Sequence, residues 1–123
     1  MQLSQIPVQT PTPFYYYNLD LLKKTVQAAK SGSAPYGYRV HYAVKANANP
    51  VLLRLISQQG LGADCVSGNE IRQALEEHFK KTDHCTGIFA YNDRRAIQAL
   101  GILEEMGIRI PEQAGVIGFD NTY

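Results

Sequence analysis

Lys45 is the residue whose placement asks for chemistry. It lies in "VHYAVKANANP" (40–50), near the end of a run that reads as a buried strand and just before an Asn-rich turn into a helix. A buried strand end is a costly place for an ammonium unless the amine is neutral, paired or covalently used. A lysine of lowered pKa can attack a carbonyl and hold an aldehyde cofactor, provided that other groups hold the rest of that cofactor. The plainer roles are an ion-paired lysine, or one whose stem lies along apolar surface while its head reaches water. His41, His78 and His84 are too dispersed for a metal site or an acid–base pair and read as structural. Cys65 and Cys85 share no CxxC spacing, and Cys65 reads as a small buried hydrophobe. "GLG" at 60–62 lacks the third glycine of a dinucleotide fingerprint and reads as a helix stop with a tight turn.

The elements that must position Lys45 alternate along the chain. "FYYY" (14–17) has strand propensity, and "NLDLLKKTVQAAKSG" (18–32) shows an Asn cap, helical apolar spacing and a Gly stop. Strands are predicted at 39–46, 62–67, 86–92 and 114–121. Helices are predicted over 49–60, over 69–82 and over 93–107. The 69–82 helix holds no Pro, so it should run without a kink, and "EEHFKK" within it reads as a solvated face with Glu76–Lys80 and Glu77–Lys81 pairs. Strand–helix alternation with near-continuous apolar strands means parallel pairing with helices on the sheet faces.

Composition narrows the function classes. The 123 residues are 45% hydrophobic with a mean hydropathy of −0.24, which fits one domain able to bury a core. Twelve Lys+Arg stand against 11 Asp+Glu, for a net charge of +1, so no basic face offers itself to nucleic acid or anionic lipid. The apolar runs are too short to span a bilayer, and the first residues lack a signal pattern, so a cytoplasmic protein is expected.

"TPFYYYNLDLL", "VHYAVKANANP" and "GLGADCVSGNEI" together resemble the N-terminal part of diaminopimelate decarboxylases, pyridoxal-phosphate enzymes built on a (βα)8 barrel. The resemblance covers roughly 11–75. It implies that Lys45 is the lysine to which the cofactor is attached and that Asp64 and Ser67 lie close to the cofactor pocket. The family's glycine-rich phosphate loop, ring-stacking partner and later catalytic cysteine have no counterpart in these residues.

"TGIFAYNDRRAIQALGILEEMGIRIPEQAGVIGFDNT" is similar to the effector-binding lobe of lactose-repressor/galactose-repressor regulators, whose fold is that of periplasmic sugar-binding proteins. That resemblance covers roughly 76–123 and implies ligand contacts at Asn92, Asp93 and Asp120. For Asn92 and Asp93 the simpler role is capping of the following helix.

Joined, the two resemblances imply a single α/β domain over 1–123, with 1–75 derived from the barrel and 76–123 from the lobe. Its expected architecture is a three-layer, flavodoxin-like open parallel sheet of four core strands in the order 2-1-3-4, with helices on both faces. Strand 43–46 would lie centrally, and the polar residues past the strand ends would line one cleft. The corresponding function is an engineered fold chimera without evolved activity. The alternatives are a residual pyridoxal-phosphate-binding piece of an amino-acid decarboxylase and a truncated sugar-binding lobe. No cofactor is expected, pyridoxal phosphate being the one that Lys45 admits. No nucleic-acid or membrane partner is expected, while exposed edge strands admit a homodimer.

Overall fold

The computed structural model describes residues 11–80 and 84–119. Helix α1 (Leu19–Ser33) precedes β1 (His41–Ala43), α2 (Pro50–Gln58), β2 (Gly62–Asp64), α3 (Gly68–Phe79), β3 (Thr86–Phe89), α4 (Asp93–Glu105) and β4 (Ala114–Ile117). Residues 14–17, expected to be extended, form no strand.

The helices begin where short polar side chains can satisfy their first N–H groups. Asn18 accepts from Leu21 N at 2.9 Å, Asn49 from Val51 N at 2.9 Å, Ser67 from Glu70 N at 3.3 Å and Asn92 from Arg95 N at 2.9 Å. Pro50 occupies the first turn of α2, where its missing N–H costs nothing. At the far ends Gly60 (φ 83°) and Gly107 (φ 69°) take left-handed conformations that stop α2 and α4. Helix α3 runs unbroken from Gly68 to Phe79, through the region where the two resemblances meet.

Pairing is parallel but does not form the expected four-stranded sheet. β1 pairs with β2 in the register His41–Gly62, and β3 pairs with β4 in the register Thr86–Ala114, as two separate two-stranded sheets. The adjacencies 2-1 and 3-4 are present, while the central 1-3 ladder is not, so residues 43–46 are not the middle of a sheet. The reason lies in strand length and helix spacing. β1 keeps only three residues before the chain coils into a 3₁₀ turn, Val44–Ala46, and α3 packs against both α2 and α4, setting the distance between the pairs. So short an edge offers too few ladder bonds to close that gap. A cleft of about 970 Å³ lies between the sheets, lined by His41 and Tyr42 of β1 and by Thr86 and Ile88 of β3.

Helices cover β3–β4 from one side. Leu75, Ile102, Leu103 and Ala114 form the core cluster, with Ile71, Phe79, Ile88 and Val116 packed on it. Leu103 is fully buried. The opposite face carries Gly87, Gly115, Phe89 and Ile117, and the last two are 71% and 64% exposed, so among the described residues no helix covers this face of the pair.

Glu77 departs from the solvated face expected of it. It is buried at 7% exposure, with Arg54 Nε of α2 at 3.0 Å and Lys80 Nζ at 2.7 Å; Lys81, its expected partner, lies outside the described residues. Hydrogen bonds from Arg54 and then Lys80 hold its carboxyl down at about 2. Because the folded value lies below the unfolded one, this pair of bonds stabilises the fold above about pH 4.5 and loses that effect as pH falls toward 2. Urea midpoints should therefore drop across this window in the native chain and change less in Glu77→Gln, which has nothing to protonate at that position.

Candidate functional site

Lys45 is not on a strand. It occupies the middle of the Val44–Ala46 turn, just past the carboxyl end of β1, and the turn packs against α3. Val44 is fully buried and fixes the turn from below, while the Lys45 side chain is exposed. Among the described residues it forms no ion pair within 4.0 Å and no hydrogen bond, so the expected buried strand position gives way to a solvent-reaching amine. The alternation of His41, Ala43 and Lys45 on one face ends at Ala43. Asp64 closes β2 opposite Ala43, exposed and on the same side of the sheet ends as Lys45.

Ser67 is spent on its helix. Its hydroxyl donates to Glu70 Oε1 at 3.0 Å and accepts from Glu70 N, while Glu70 Oε2 accepts from Val66 N at 2.9 Å. This reciprocal arrangement of Ser and Glu three residues apart closes the start of α3. Asn92 caps α4 one way only, its Oδ1 accepting from Arg95 N, and Asp93 follows in its first turn, where a Cβ on Gly118 would collide with its carboxylate. Asp93 thus sits against the carboxyl end of β4. Asp120 lies outside the described residues, as does Asn121. Of the sequence-predicted residues that are described, Asp64 alone lines the large cleft.

The cleft holds other titratable groups. His78 lies 2.6 Å from Thr86 Oγ1, and burial depresses its pKa, favouring the neutral ring. Burial pushes the Cys65 thiol up to about 11, with Glu70 and Asp64 adding to the shift, so it stays protonated and unreactive near neutral pH. Both residues read as structural, although Cys65 is half-buried rather than fully so. Among the described residues no three His, Cys, Asp or Glu side chains gather as metal ligands, and no helix is long and apolar enough to cross a membrane.

Reasoning from sequence alone missed the groups around Lys45. Asn47 Nδ2 donates to the Tyr17 hydroxyl at 3.1 Å, and the Tyr42 hydroxyl donates to Asn47 O at 3.3 Å. Tyr17 is 30 positions away, and no local pattern signals such a contact.

The described residues thus form a parallel α/β unit with Lys45 just past the carboxyl end of its first strand. The family model described as pyridoxal-dependent decarboxylase, pyridoxal binding domain, matches residues 19–121, and the chain belongs to that family. Curated relatives include a diaminopimelate decarboxylase of Bacteroides thetaiotaomicron, 55% identical over 69 residues, and one of Campylobacter jejuni, 37% identical over 76. A probable chloroplastic diaminopimelate decarboxylase of Oryza sativa subsp. japonica is 41% identical over 71 residues. These stretches cover 55%, 62% and 58% of this chain but only 18%, 19% and 14% of the respective relatives. No solved structure matches. The family match spans residues 72–78, where a two-source chain would be joined, and none of these matches is to a repressor lobe. The findings therefore favour the pyridoxal reading over the engineered-chimera expectation.

The residues present fit that cofactor only in part. Lys45 would be the residue to offer an amine. A phosphate, however, is best held at helix N-termini facing the strand ends, and here Asn49, Ser67 and Asn92 already cap α2, α3 and α4. Glu70 and Asp93 add negative charge to the first turns of α3 and α4, which opposes an anion. No buried side-chain polar atom among the described residues lacks a partner, so none waits for a cofactor. The described residues would offer an amine for attachment but no cradle for the phosphate. Because Ser67 works as a cap, Ser67→Ala should lower stability by about 1 kcal/mol in chemical denaturation.

Proposed function

We propose that this chain is the lysine-bearing segment of a pyridoxal-phosphate-dependent amino-acid decarboxylase. Lys45 is the cofactor-attachment residue, and the groups that retain the phosphate and ring come from outside the described residues. The observation that carries this reading is the exposed, unpaired Lys45 on a turn fixed between buried Val44 and Asn47 at the carboxyl end of β1. When bound, the cofactor supplies an electron sink for the carbanion left by carboxylate loss. The chain's own contribution is to place the amine and fix its backbone. The names of the relatives make diaminopimelate the first substrate to consider.

Pyridoxal phosphate followed by borohydride, with peptide mapping by mass, tests the assignment. A reduced adduct at Lys45 is expected at millimolar cofactor, lost in Lys45→Ala and without saturation at micromolar concentrations. An unlabelled Lys45 under conditions that modify the exposed Lys23 and Lys24 would refute it.

A further inference from the structure

In a parallel ladder alternate residues bond to the same neighbour, so the register tells which backbone groups are spare. Thr86 N–H donates to Gln113 O and Ala90 N–H to Ile117 O, so Thr86, Ile88 and Ala90 turn their backbone groups toward β4. Gly87 and Phe89 therefore turn theirs the other way. In the first pair Gly62 N–H donates to Val40 O, so Gly62 and Asp64 face β1 while Ala63 faces away from it. Among the described residues nothing bonds to the N–H or C=O groups of Ala63, Gly87 and Phe89. Residues 60–65 and 85–91 line the cleft without a break, which sets these two free edges across it from each other.

Helix α3 connects β2 to β3 and packs against both α2 and α4, so it lies behind the gap. Its Ile71, Ala74, Leu75 and His78 share one helical face and all line the cleft. Such a face normally packs on strands, yet Ile71, Ala74 and His78 stay half-buried because no described strand lies between β2 and β3. An extended residue within a sheet fills about 160 Å³, from a strand spacing of about 4.8 Å, a layer spacing of about 10 Å and a rise of about 3.3 Å. The cleft of about 970 Å³ therefore has room for roughly six such residues. We propose that the cleft between β2 and β3 receives an extended acidic peptide of another chain as an added strand, which joins the two strand pairs into one sheet.

The lining says what that peptide carries. Bonds to the two free edges supply affinity whatever the sequence, while every second side chain enters the α3 side and must be apolar. Charge selects the ends. Among the described residues Arg39 lines the cleft with no ion pair within 4.0 Å. Arg95 also lines it, donating to the neutral Tyr91 hydroxyl at 3.4 Å and to Gln98 Oε1 at 2.7 Å. Of the carboxylates in the lining, Glu77 already holds Arg54 and Lys80, which leaves Asp64. The excess of positive charge favours a peptide with an acidic residue at each end of its apolar stretch.

The probe is a fluorescein-labelled peptide, Glu-Val-Thr-Val-Thr-Val-Glu, titrated with the full chain and followed by anisotropy. Saturable binding below about 1 mM is expected. Methylating the peptide's central amide nitrogens removes ladder donors and leaves the side chains alone, and it should weaken binding by about tenfold or more. Gly87→Pro should do the same, since it takes the outward N–H from the edge of β3. Proline is tolerated where a strand's N–H faces away from its partner, and the space around Gly87 is open, so far-UV circular dichroism should not change. A peptide with lysine at both ends should bind about two- to fivefold more weakly than the parent, a difference that Arg39→Glu should reduce. No saturation with the native chain, equal binding of the N-methylated peptide, or binding that survives Gly87→Pro would overturn strand addition. Equal binding of the lysine-ended peptide would overturn the acidic partner. The N-methylated peptide is read on the native chain, so the proposal stays open to refutation even if Gly87→Pro does not fold.

Discussion

Parallel hydrogen bonding in this chain stops after each pair of strands, so the join between β1–β2 and β3–β4 is made by helix packing, with α3 in the middle. At the centre of that packing a buried carboxylate, Glu77, accepts from Arg54 on α2 and from Lys80 one turn along α3. A carboxylate taken out of water needs its lone pairs satisfied, and both partners are charged, which makes these bonds stronger than neutral ones. With two cations on it, the carboxylate keeps a charged partner if either Arg54 or Lys80 is lost. Against α4 the same helix packs through Leu75 with Ile102 and Leu103, so α3 is held by an ion pair on one side and by apolar contact on the other.

The Lys45 turn inherits its placement from the same helix. Val44 is sealed in the core and Asn47 is bonded on every side, so the backbone at Lys45 is defined although its side chain is not. The helix starts around it are closed by Asn49, Ser67 and Asn92, so the membership of the chain in the decarboxylase family rests on the lysine-bearing stretch and on sequence similarity rather than on a completed cofactor site.

How much of this was legible depends on the range of the interactions involved. Helix starts are local, and Asn18, Asn49, Ser67 and Asn92 announce them by residue type alone. Nearest-neighbour pairing of strands is almost as local, which is why β1–β2 and β3–β4 were foreseeable. Whether β1 then meets β3 depends on how α2, α3 and α4 stack, and no pattern in the strands carries that information. The turn at Lys45 was missed because "HYAVKA" has strand propensity throughout, while burial of Val44 and the Asn47 contacts favour a coil there. Glu77 was missed because its partner Arg54 lies on another helix, and "EEHFKK" looks self-sufficient on its own.

The confinement of each ladder to its own half also bears on how the chain finds its structure. His41 meets Gly62 across a loop that contains α2, and Thr86 meets Ala114 across a loop that contains α4. Loop-closure entropy grows only logarithmically with length, so these two closures cost nearly the same, and neither needs the other's strands in place. The two closures differ in what lies over them: α4, the longer helix, packs fully buried Leu103 with Ala114 of β4, whereas α2 packs on α3 and carries buried Leu52, Leu53 and Ile56.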